Sequence, residues 1–256
     1  MEFSLRPGAP FFVAQGIQRL FVALVFGLSA ALAFPPRGGG WIFFGGFGVL
    51  AGVATIYALT VWLMVSRMRL TVSGGTISYG EYFRPRSVPV NQVTAFQLKQ
   101  RRGQYGPGVL EGLVLGTNGE PILHGMSVRG FDPLELIRLA YGIHKPIRGE
   151  PDLIVGWIRP TLGRHLGLQE TEHPFRPGDI PKLLDVARSR VASGRLEIRC
   201  PRRTISIDFI NGRQLRTSAR AGLAQCPQGI SRFVPLTIAA ETLTAISETL
   251  PDVFST

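Results

Sequence analysis

The sequence predicts an α+β membrane protein in three parts. A two-helix transmembrane hairpin comes first, then a half-open β-barrel closed by a C-terminal capping helix, then a small α+β unit. Three observations lead there. Two uncharged apolar runs, Leu20 to Phe34 and Trp41 to Val65, flank a turn of prolines and glycines. Past Arg69 the pattern changes to short segments alternating apolar with polar residues. Beyond residue 178, helical spacing gives way to alternation and then returns.

The run from Trp41 to Val65 exceeds the roughly 20 residues that a helix needs to cross a bilayer core. Its apolar side chains occur all the way round, and Trp41 and Trp62 stand near its ends, as interfacial aromatics do. The first run is shorter. It spans residues 18–35 only if Ile17 to Arg19 contribute and Arg19 snorkels to the interface. A rival product is a cleaved signal peptide, with Ala31-Leu32-Ala33 as the small-x-small site. Gly27 with Ala31, and Gly48 with Gly52, are spaced for close helix packing. Arg6 and Arg19 precede the hairpin and Arg67, Arg69, Arg84 and Arg86 follow it, against Arg37 alone in the turn. That bias predicts both termini on the cytoplasmic side.

In the middle part, Arg69 to Val72 and Thr76 to Phe83 flank Ser73-Gly74-Gly75, a hairpin turn signal. Val88 to Leu98 alternates, and Leu113 to Leu115 and Pro121 to His124 flank a turn at Asn118-Gly119. Asp132-Pro133-Leu134-Glu135 opens a helix: aspartate caps, proline suits the first position, and glutamate reaches back.

Taken together, the two spans, the Arg67 to Val72 strand, the glycine turn, Pro89 to Val93 and the closing helix resemble a membrane-anchored bacterial PH-like domain protein. The likeness covers Leu20 to Ile143. It implies a PH-like barrel at 67–143, a multi-pass place in the bacterial inner membrane, and a non-enzymatic adaptor or sensor role. The loop at Ser73 to Gly75 lacks the basic residues of phosphoinositide-binding PH domains, so that recognition does not carry over. Arg84, Arg86, Lys99, Arg101 and Arg102 are the candidates for contact with an anionic surface.

Residues 144–177 are rich in proline and glycine and read as an irregular connector, with a short helix near Thr161 to Leu168. His165, Glu170, Glu172 and His173 lie there, but their spacing fits no metal geometry. In residues 178–256, Ile180, Leu183, Leu184, Ala187 and Val191 follow helical spacing. Two alternating strands, Leu196 to Cys200 and Ile205 to Phe209, come next, then Asn211-Gly212 as a tight turn into a third strand, Gln214 to Ser218, and a last helix over Thr237 to Leu250.

Formal charge is +11, with arginine far outnumbering lysine, which implies anionic partners. Arg199, Arg202 and Arg203 belong to an arginine-rich stretch from Arg195 to Arg220 suited to phosphates of lipid or nucleic acid. Base-stacking aromatics are nearly absent there, which disfavours single-strand binding. Cys200 and Cys226 read as ordinary thiols in a reducing compartment. No catalytic, cofactor-binding or metal motif is present. The functional expectation is a non-enzymatic adaptor recruiting a protein partner or an anionic lipid surface. The alternative is a tethered regulator whose arginine-rich unit binds nucleic acid.

Overall fold

The computed structural model describes residues 2–6, 8, 21, 25, 49, 52–53, 55–56, 59–60, 63, 68–81, 84–103, 106–116, 121–128, 130–168, 172–201, 203–215 and 228–255, some strand positions by backbone alone. Contacts divide the chain into two units, Met1–Pro89 with Arg129–Phe131, and Val90–Val128 with Asp132–Thr256.

The first unit holds an antiparallel sheet in the order β1 (Phe3–Leu5), β2 (Arg69–Ser73), β3 (Thr76–Glu81), β4 (Arg84–Pro89). Leu70, Val72, Ile77, Tyr79 and Val88 alternate with exposed or half-exposed neighbours and supply its buried side. The turn between β2 and β3 puts Gly74 at φ 57° and Gly75 at φ 73°, a left-handed pair that glycine adopts without steric cost. β4 carries Pro85 and Pro89, which lack N–H donors, so it suits an outer strand.

In the second unit, β5 (Ala95–Gly103), β6 (Gly106–Leu115) and β7 (Pro121–Ser127) run antiparallel. β8 (Ile147–Gly149) adds to β5 in parallel, pairing Phe96 with Ile147. Between β7 and β8 runs α1 (Pro133–Gly142), where Asp132 Oδ1 accepts the Leu134 N–H at 2.8 Å as the expected cap. Glu135 pairs with Arg138 at 2.7 Å instead of reaching back to the cap. Next come α2 (Pro151–Arg164), β9 (His173–Phe175) and α3 (Ile180–Ser189). They are followed by β10 (Gly194–Cys200), β11 (Arg203–Ile210), β12 (Arg213–Leu215), β13 (Gly229–Pro235), α4 (Ala240–Thr249) and β14 (Phe254–Ser255). The second sheet of this unit has the order β14-β12-β11-β10-β13-β9. Asn211 at φ 49° and Gly212 at φ 75° make the tight turn from β11 to β12. Arg138 Nε donates to Thr242 Oγ1 at 2.8 Å, tying α1 to α4.

Four expectations are corrected. Among the described residues no helix is long and apolar enough to cross a membrane. Of the helices whose bounds are described, α2 with 14 residues is the longest and spans about 21 Å against a core of about 30 Å. In the expected spans, 18–35 and 41–65, most positions lie outside the described residues; Phe21, Val25, Val49, Gly52, Val53, Thr55, Ile56, Leu59, Thr60 and Leu63 are helical. The transmembrane hairpin is withdrawn on that finding. The multi-pass inner-membrane localisation, the cytoplasmic termini and the membrane as an integral partner go with it. The PH-like barrel is replaced by open sheets: an N-terminal strand and a parallel strand after α1 extend two separate four-stranded sheets. The irregular connector contains α2, which accommodates Pro160 within it. Finally, Cys200 is disulfide-bonded, not a free thiol, while Cys226 lies outside the described residues.

Candidate functional site

The alternation of β10 and β11 gives their sheet two chemically opposite faces. Leu196, Ile198 and Cys200, with Ile205, Ile207 and Phe209, pack with Ile180 and Ala187 of α3 in an apolar cluster. On the other face Arg195, Glu197 and Arg199 stand opposite Asp208, Ser206 and Thr204 on β11, and opposite Val234, Arg232 and Ile230 on β13.

α2 covers one end of this polar face. There Asp208 is 2% exposed, and Arg195 Nε donates to its Oδ1 at 2.6 Å. Arg159 Nε stands 3.0 Å from Oδ2 but off the line of a hydrogen bond, so that contact acts as an ion pair. Its Nη2 donates to the Ser206 carbonyl at 2.8 Å. One helical turn on, Gly163 leaves room for the Arg195 guanidinium, which lies 3.7 Å from where a Cβ would stand. Two guanidiniums thus offset the desolvation of one buried carboxylate.

In the middle of the face Arg232 Nε donates to Glu197 Oε2 at 2.7 Å. Glu172 Oε1 lies 3.6 Å from Arg232 Nη1 and 3.8 Å from Arg199 Nη1, bridging the two arginines.

The far end opens into a cleft of about 720 Å³ lined by Pro174, Arg176, Asp179, Arg199, Cys200, Pro201 and Ile230. The Asp179 Oδ2 accepts the Arg176 backbone N–H at 2.9 Å. Arg176 is exposed and has no ion-pair partner among the described residues. The Arg199 side chain is 54% exposed. Ile230, 37% exposed, adds apolar surface between these charges. The cleft therefore offers guanidinium donors beside a hydrophobic contact.

No family model, curated protein or solved structure matches the chain. The resemblance to membrane-anchored bacterial PH-like proteins is corrected on that result together with the sheet topology. Pro89 to Val93, which carried part of it, ends β4 and turns through a short 3-10 helix at Val90–Gln92.

The structure scatters the candidate anionic-contact residues. Arg84 lies on β4 in register with Glu81, and Arg86 is exposed on the same strand. Both belong to the first unit. Lys99 is exposed on β5 in the second unit, opposite Glu111, with Arg101 and Arg102 further along that strand. Arg199 lines the cleft, and Arg203 opens β11 opposite Cys200. Arg202 lies outside the described residues, as do Gly27, Ala31 and Gly48. At Gly52 no described atom comes within 4 Å of an added Cβ. Arg213, from the same arginine-rich stretch, stacks over the Phe254 ring with 4.5 Å to its centroid.

Sequence reasoning missed Arg176 and Arg159 because both fall in the segment read as irregular. The available signal was Asp179, a local acceptor three residues past Arg176. Of the metal-like residues, Glu172 is engaged with arginines and Glu170 lies outside the described residues. Among the described residues no three His, Cys, Asp or Glu side chains converge.

Proposed function

We propose that this chain is a non-enzymatic adaptor that binds an acidic segment of a protein partner in the cleft at Arg176 and Arg199. The observation that carries this reading is the composition of the cleft: exposed guanidiniums beside the exposed Ile230. Arginine suits this task because its planar fork takes a carboxylate through two parallel hydrogen bonds. Recruitment by strand addition is less suited to the adjoining sheet edge. β9 is short and Pro174 removes one of its donors, as protected edges do. Side-chain chemistry in the cleft is the better route. The overall charge of +11 adds long-range attraction for an acidic partner.

The test is fluorescence anisotropy of a labelled glutamate-rich peptide containing leucine, titrated with the full chain, beside an oligothymidylate of similar length. The peptide binds saturably, and Arg176→Ala with Arg199→Ala weakens it roughly tenfold or more. A peptide that fails to bind, or that binds the double variant equally well, removes the proposal. Tighter binding of the oligonucleotide with a steep salt dependence replaces it with the nucleic-acid reading.

A further inference from the structure

The apolar face of the β9–β13–β10 sheet is not fully closed by α3. Between that helix and the sheet lies a separate groove of about 270 Å³. Leu183 and Val186 of α3 line it from one side, and Leu196 and Phe233 from the other. Val186 is 46% exposed at its mouth. A Cβ at Gly194 would stand 2.6 Å from Phe233 Cε1 and 2.6 Å from the Val234 carbonyl, so the ring lies directly on the Gly194 backbone.

Its ionisable groups are all basic: Arg190, His173 and Arg232, of which Arg232 is already engaged with Glu197 and Glu172. Arg190 ends α3 as its C-cap residue and is exposed, with no ion-pair partner among the described residues. His173, exposed on β9, adds an imidazole. Among the described residues the lining holds no carboxylate. Ser231 is buried, and its hydroxyl donates to the His173 carbonyl at 3.2 Å.

We infer that this groove binds a small amphiphilic carboxylate, with its apolar tail between α3 and the sheet and its anionic head on Arg190. An apolar lining with a few convergent polar groups is the ordinary make-up of a small-molecule site. The volume lies just below the usual range of roughly 300–1000 Å³, which limits the ligand to a short chain or a single ring. The charge of the rim selects the head group: an ammonium would meet the guanidinium unfavourably, and a neutral alcohol accepts one bond from it without the opposite charge or the second, parallel bond that a carboxylate supplies. This site is distinct from the acidic-segment cleft and does not depend on that reading.

The experiment is calorimetric titration of the full chain with octanoate and with octanol. Octanoate binds at least about tenfold more tightly than octanol. Arg190→Gln removes that preference, and Val186→Glu, which sets a like charge at the mouth, abolishes octanoate binding. Both positions are exposed, and circular dichroism of each variant reports whether the fold is kept. Equal affinity for the acid and the alcohol, no binding of either, or unchanged octanoate binding in both folded variants overturns the inference.

Discussion

Asp208 is a buried carboxylate with an arginine at each of its two oxygens. Its carboxylate is buried, faces Arg195 directly across the strand pair, and holds Arg159 of α2 at its other oxygen. Removing one member of a buried pair leaves the remaining charge uncompensated, at a cost of roughly 3 kcal/mol. Asp208→Ala should therefore lower unfolding stability by about that amount, read from the midpoint of a urea titration. A loss within about 0.5 kcal/mol would mean that Arg159 and Arg195 are satisfied by solvent instead. Cys200 makes a second residue-scale prediction. Under denaturing conditions without reductant the chain takes up no alkylating label, and after reduction it takes up two, the number of cysteines in the sequence. Labelling before reduction would restore the free-thiol reading.

At the scale of elements, what could be read in advance was local chemistry. The Asp132 cap opened α1 where it was expected, and Asn211-Gly212 turned the chain where two residues of positive φ were needed. The alternation of Leu196, Ile198 and Cys200 matched the buried side of β10. What could not be read was the partner of each surface. Thr204, Ser206 and Asp208 look like a solvent face in one dimension, and α2 makes the end at Asp208 an interior. α2 itself was hidden by its proline and glycines, although Ile154, Val155, Trp157, Ile158, Thr161 and Leu162 bury a helical stripe. The apolar runs before residue 66 dominated the reading of class, since continuous apolarity is the strongest one-dimensional signal. Of the site, only Arg199 had been singled out; Arg176 and Ile230 join it through the pairing of β9 with β13. The price of α2 carrying Pro160 can be measured. That ring removes the N–H that would bond to the Gly156 carbonyl, and Pro160 is exposed, so alanine fits without new contacts. Pro160→Ala should raise stability by about 1–3 kcal/mol, and a fall in the melting temperature would show that the ring supports the helix there.

On the scale of the whole molecule, the excess of positive charge is partly spent internally. Arg159, Arg195 and Arg232 each face a carboxylate, whereas Arg176 stands exposed at the open end of the same sheet. Binding there should consequently weaken as salt rises, because exposed charges are screened over about 10 Å at 0.1 M ionic strength. The covered end of the polar face is closed by ion pairs, and the open end is the place of the proposed recognition. The adaptor reading is tested most directly by amide hydrogen exchange of the full chain with and without the glutamate-rich peptide. The account predicts slowed exchange confined to 173–179, 199–201 and 228–230. Protection that maps elsewhere, or none at all under saturating peptide, would contradict it.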